Sequence, residues 1–131
     1  MFRRLGAQVM VSGQIGPEDV GRAAGIAVIV NNRPDGEEPG QPSSAQIEAA
    51  ARDAGLAYRH IPVAGAISPD AIERVAALLE EGSGMLLFCR SGTRSAYLWA
   101  LAERRRGADG EALIARAAEA GYDLEPLRPY L

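Results

Sequence analysis

Short apolar runs alternate with longer amphipathic stretches along the chain, and glycine, proline or serine stands at most junctions. Ala7 to Ser12 alternates apolar and polar positions and predicts an opening strand. Pro17-Glu18-Asp19-Val20 predicts a brief helix that ends near Gly25, with proline in its first turn and acids at its positive end. Ile26 to Val30 is continuous and rich in β-branched residues, the pattern of a strand covered on both faces. A polar loop dense in proline and glycine follows, from Asn31 to Pro42. Ser43 with Gln46 then forms a capping box. Ile47, Ala50, Ala51 and Ala54 make one face of the helix behind it, which stops at Gly55. Leu56 to Val63 predicts another strand. Ser68-Pro69-Asp70 opens a helix whose stripe is Ile72, Val75, Ala76 and Leu79, with Gly82 as its stop. Met85 to Phe88 is a further buried strand. From Ala96 a helical pattern carries Tyr97, Leu98, Leu101 and Ala102 inward, with Trp99 read as core, and ends at Gly107. Asp109 caps a last helix that buries Leu113, Ile114 and Ala117 and ends at Gly121. The residues before Ala7 and the tail from Tyr122 show no period, and the tail is expected to pack across the surface.

Strands alternating with helices imply a mainly parallel sheet flanked by helices. The expectation is a single α/β domain over residues 1–131. Composition agrees with this: 47% of the residues are hydrophobic and 24% charged, ordinary for a soluble globular chain. The formal charge of -3 and the scattering of the basic residues exclude a nucleic-acid footprint. Every basic side chain other than one histidine is arginine, so lysine chemistry is excluded, and the Arg104-Arg105-Arg106 run fits a helix C-terminus. Met1 to Leu5 lacks the apolar stretch of a signal peptide and no run reaches membrane-spanning length, so cytoplasm is the expected compartment. No motif calls for a metal or an organic cofactor.

One stretch changes the picture from fold to chemistry. The strand Met85 to Phe88 delivers Cys89, the only cysteine, into Arg90-Ser91-Gly92-Thr93, followed by Arg94, Ser95 and a helix start. The first amides of a helix lack intrahelical partners and its N-terminus is partly positive, so such a loop makes an anion site. A cysteine at that site has negative charge on its sulfur stabilised, as a nucleophile requires. Arg94 adds a fork of donors for a bound anion. Gly92 permits the tight turn. Ser95 can cap the helix or donate to the sulfur. Arg90, Ser91, Gly92, Thr93 and Ser95 are thus candidate anion-binding residues beside Cys89 and Arg94. The loop 31–42 follows a strand's carboxyl end, where ligands bind in open α/β sheets, which makes Arg33 and Asp35 candidates for the site or for its turns. His60, the only histidine, fits a structural hydrogen bond better than catalysis.

The strand-cysteine-loop-arginine-helix order resembles two families. Tyrosine and dual-specificity phosphatases place five residues between cysteine and arginine, and rhodanese sulfurtransferases often place four, as here. The chain as a whole, through Val11-Ser12-Gly13-Gln14-Ile15, Asn31-Asn32-Arg33-Pro34-Asp35-Gly36-Glu37, His60-Ile61-Pro62-Val63 and Cys89 to Ser95, resembles the phosphatase-like domain of beta-lactamase hydrolase-like proteins (the DUF442 family). The resemblance runs over about residues 8–128. It implies a dual-specificity-phosphatase fold, and a link to sulfur metabolism, since some members are fused to persulfide dioxygenases or to sulfide-oxidising flavoproteins.

Three functions remain open at this point. The leading expectation is sulfur transfer: Cys89 takes sulfur from thiosulfate or a persulfide as a Cys89 persulfide and passes it to an external thiol, because no second cysteine is present. A persulfide dioxygenase or sulfide-oxidising protein would be its partner. The alternative is phosphate-ester hydrolysis through a Cys89 phosphocysteine. That reaction needs an acid for the leaving oxygen. The place where dual-specificity phosphatases carry it holds Ala64-Gly65-Ala66, Asp70 belongs to a helix turn, and Asp35 is the best substitute. The third reading is a non-catalytic anion-binding module.

Overall fold

The computed structural model describes residues 2–131. Five strands form one sheet in the spatial order β1-β2-β5-β3-β4. They are β1 (Arg3–Gly6), β2 (Val9–Ser12), β3 (Val28–Asn31), β4 (Ala57–His60) and β5 (Met85–Phe88). All neighbours run parallel except β1, which pairs antiparallel with β2. The helices are α1 (Ser44–Asp53), α2 (Pro69–Glu81), α3 (Thr93–Arg105) and α4 (Gly110–Glu119). The α/β architecture expected from the alternation is what the chain adopts.

The apolar run of β5 divides between two cores because successive side chains of a strand point to opposite faces. Met85 and Leu87 pack with Val9, Val11, Val28 and Val30 under α2, α3 and α4. Leu86 and Phe88 pack with Ile29, Ile47 and Ala51 under α1. β5 is therefore central and covered on both faces, and its C-terminal end is fixed in space. Ser43 caps α1 with the reciprocal Gln46 bond, Ser68 caps α2, and Asp109 caps α4.

Four expectations change. Arg3–Gly6 is a strand, although of its residues only Leu5 is buried, so no apolar alternation announces it. The segment from Pro17 is a single 3-10 turn ending at Asp19 rather than a helix to Gly25. The strand expected over Leu56 to Val63 is shorter, because β4 is an edge strand and pairing with β3 ends at His60. The tail contains a 3-10 helix (Glu125–Tyr130) that buries Leu127.

Candidate active site

The ends of β2, β3, β4 and β5 meet at one edge of the sheet, where loops after parallel strands form a crevice. The loop after β5 is held from behind by β2: the Cys89 amide donates to the Ser12 carbonyl at 3.4 Å, and the Gln14 amide donates to the Arg90 carbonyl at 3.1 Å. Gly13 keeps this approach close, since a Cβ there would lie 3.1 Å from the Arg90 oxygen. The loop then turns into α3 with Gly92 as the N-cap residue at φ 94°.

Cys89 is fully buried at the floor of this turn, and its Sγ accepts the Gly92 amide at 3.1 Å. The Arg94 and Ser95 amides occupy the second and third positions of α3 and have no intrahelical acceptor. Amides left open at a helix start are suited to an anion. Ser91 Oγ donates to Thr93 Oγ1 at 3.1 Å, which ties the rim of the loop together. Arg90 is exposed at that rim. Ser95 neither caps the helix nor donates to sulfur: its buried hydroxyl donates to Asn32 Oδ1 at 2.8 Å, locking α3 to the end of β3.

Gly92 is the residue of this loop most sensitive to size. Its φ lies in the left-handed region, and an added Cβ would approach Tyr122 Oη to 2.2 Å. Gly92→Ala is expected to lower stability by about 1–2 kcal/mol and to weaken phosphate binding, as read by denaturant unfolding and calorimetric titration. Unchanged stability and affinity would refute the role given to this turn.

Arg94 is oriented by Glu37, a residue whose loop gives no local sign of this role. Glu37 Oε2 accepts from Arg94 Nη1 and Glu37 Oε1 from Nη2, each at 2.8 Å. Nη1 also donates to the Val63 carbonyl at 2.8 Å. A guanidinium has five N–H groups. These bonds use both hydrogens of Nη1 and one of Nη2, leaving Nε–H and the other Nη2 hydrogen for a ligand. Glu37 raises the Arg94 pKa most, partial burial opposes this, and the Cys89 sulfur adds a smaller contribution in the same direction as Glu37.

Glu37 is itself held by Arg33. The Arg33 side chain is buried, with Nε on Glu37 Oε1 at 2.8 Å, Nη2 on Glu38 Oε1 at 2.8 Å and Nη1 on Gln14 Oε1 at 3.0 Å. Each of its three nitrogens thus donates to a protein carboxylate or amide, and through Glu37 it is linked to Arg94. His60 Nε2 pairs with the Arg33 carbonyl at 2.9 Å, the structural bond expected for it. Asp35 lies elsewhere: its Oδ1 accepts the Ser44 amide at 2.7 Å and closes the start of α1.

The hydrogen bond from Arg94 lowers the Glu37 pKa most, partial burial opposes this, and the bond from Arg33 adds to it, leaving the carboxyl at about 2. The folded value lies below the unfolded one, so Glu37 stabilises the fold fully above its ordinary value of 4.5, and the contribution is lost as pH falls through about 2. Glu37→Gln is expected to flatten the stability curve across that acid window, measured by urea unfolding at stepped pH. Parallel curves for the two proteins would remove this coupling.

The profile of the family "Beta-lactamase hydrolase-like protein, phosphatase-like domain" matches residues 1–105. The chain belongs to that family. Beta-lactamase hydrolase-like protein of Xylella fastidiosa is 40% identical over 105 residues, and its relative in Agrobacterium fabrum is 41% identical over 87 residues. The matches take in 76% and 65% of this chain but only 24% and 20% of those proteins, so the chain corresponds to about a quarter of their length. Among solved structures, a candidate phosphatase of Neisseria meningitidis superposes with TM-score 0.83 at 32% identity, covering 97% of this chain and 93% of that one. Kinase associated phosphatase shares the fold at TM-score 0.71 and 16% identity, covering 98% and 88% of the two chains. The domain is phosphatase-like in fold and family.

Proposed function

We propose that the chain is a phosphatase-like hydrolase in which the Cys89 thiolate attacks the phosphorus of a phosphate monoester. The leaving oxygen takes the bond electrons, and water then hydrolyses the phosphocysteine. The observation that carries this reading is the held fork of Arg94: Glu37 and Val63 take three of its five donors and leave two for an anion, on the same helix whose first amides lack intrahelical acceptors. Two donors in a fixed plane fit two oxygens of a phosphoryl group and stabilise charge there as it moves through the transition state. The family and the superposition on a candidate phosphatase support the same chemistry.

The engagement of the two loop carboxyls shapes the substrate class. Asp35 is engaged at α1, and Glu37 is held ionised between two arginines. With Asp35 Oδ1 bound to the Ser44 amide and Glu37 ionised, esters whose leaving group is already acidic, such as aryl phosphates, are the fitting substrates. The same observation favours a second reading, the sulfur transfer that leads the sequence expectations. There Cys89 attacks the outer sulfur of thiosulfate, sulfite departs with the electron pair, and an external thiolate later takes the sulfur from the Cys89 persulfide. In both readings the anion contacts come from the Arg94 fork and the loop amides. A thiol acceptor or a sulfide-oxidising partner is needed only for sulfur transfer.

Mass spectrometry of the acid-quenched protein separates the two. Incubation with an aryl phosphate is expected to leave Cys89 heavier by one phosphoryl group, and incubation with thiosulfate to leave it unmodified. A Cys89 heavier by one sulfur atom after thiosulfate, with no phosphoryl adduct and no hydrolysis, would reverse the choice.

A further inference from the structure

Between α2, α3 and the C-terminal tail lies an open groove of about 430 Å³, walled by Gly65, Ala66, Ile67, Tyr97, Leu101 and Tyr130 among others. No charged side chain is among them. Tyr130 is 72% exposed at its outer end, the exposed large hydrophobic side chain among the described residues.

Two paths lead from Arg94 into this groove, one along the chain and one through a hydrogen bond. On α3, residues three and seven positions on from Arg94 are Tyr97 and Leu101, which share its side of the helix. On the other side, Arg94 Nη1 is bonded to the Val63 carbonyl, and two residues later the chain supplies Gly65, Ala66 and Ile67 as the groove wall. Anion fork and apolar wall are thus successive parts of the same helix and loop. The small residues Ala64-Gly65-Ala66 leave this wall low, with no side chain long enough to cross between groove and fork.

From this continuity we infer that the groove is the subsite for the apolar part of the anionic substrate, so that the preferred ligand is an amphiphile: a phosphoryl-type head on Arg94 and the α3 amides, and an aromatic or aliphatic group against Tyr97, Leu101 and Tyr130. The inference rests on the anion-site reading above and adds its specificity. An apolar group there would be withdrawn from water against side chains that carry no charge, and each buried methylene strengthens binding. An aromatic leaving group in this position is also the kind that departs without an acid.

The test uses non-hydrolysable phosphonates with the wild-type protein, so binding is read apart from turnover. Calorimetric titration is expected to show n-hexylphosphonate and phenylphosphonate binding at least about tenfold more tightly than methylphosphonate. Tyr130→Ser, an exposed position whose change spares the fold, and Leu101→Gln are expected to erase most of that gain while methylphosphonate affinity stays within about twofold. Equal affinity for methyl- and hexylphosphonate overturns the subsite while leaving the anion loop intact. Loss of binding for every phosphonate overturns both. A concentration-dependent dimer abolished by Tyr130→Ser assigns the groove to a second copy of the chain, and also overturns the proposal.

Discussion

Cys89→Ser is expected to lower hydrolysis of an aryl phosphate by at least about 10⁴-fold while inorganic phosphate still binds within a few-fold of the wild-type affinity. The split follows from where the two tasks reside. In the proposed reaction the anion is held by Arg94 and by the amides at the start of α3, and the sulfur touches this frame only where it accepts the Gly92 amide. Glu37 and Val63 fix the guanidinium, and Gly92 as N-cap residue fixes the helix end. On this reading the sulfur supplies the nucleophile, a serine oxygen can still accept the Gly92 amide, and a serine hydroxyl there has no base within the network to remove its proton. Steady-state rates and calorimetric phosphate titration on the same preparation check both halves. Residual hydrolysis within tenfold of wild type would show that the reaction proceeds without Cys89. Phosphate binding lost together with activity would show that the sulfur shapes the loop, and would return the site to a structural turn.

Much of this site is legible from the chain, and the part that is not has a common physical cause. β5 and α3 follow from a buried run, one cysteine and a helical period, and the loop between them has a composition that only an anion site or a tight turn explains. The α/β order follows in the same way from local periodicity. β1 escapes notice because an edge strand with one inward side chain has no period to read. Glu37 escapes notice for a different reason. A glutamate in a loop of glycines and prolines looks solvated, and its partner Arg94 is far along the chain. Arg33 shows the same limit: as a lone arginine after a strand it reads as a ligand for anions, whereas a fully buried guanidinium must find its acceptors within the protein. Asp35 is the obvious acid by residue type, yet its engagement with the Ser44 amide depends on the return of the loop to α1. Ser95 likewise meets Asn32 only once β3 and β5 are side by side. Local signals thus locate the cysteine loop, and tertiary contacts decide which polar residues surround it.

Arg33→Met is expected to cost about 3 kcal/mol of stability and to reduce kcat/KM for an aryl phosphate by about tenfold. Methionine fills much of the same buried volume, so the effect comes from the charges rather than from a cavity. Three acceptors lose their donor at once: Glu37 Oε1, Glu38 Oε1 and Gln14 Oε1. Their weights differ. Glu38 is 47% exposed and can turn to water, so its pair is worth less than about 1 kcal/mol, and Glu38→Gln is expected to be nearly silent. Glu37 is 28% exposed and keeps its two bonds to Arg94, but without Arg33 the Glu37–Arg94 pair loses the buried anchor that ties it to the end of β3. The Arg94 fork then samples orientations in which its free donors miss the anion, a loss that shows in kcat as well as KM because charge grows in the transition state. Arg33→Lys separates orientation from charge. One ammonium cannot span three acceptors set around a planar fork, so lysine is expected to recover part of the stability and little of the rate. Full recovery of both by lysine would mean that Arg33 serves as a buried positive charge alone, and that the chain of forks from Arg33 through Glu37 to Arg94 has no part in aiming the site.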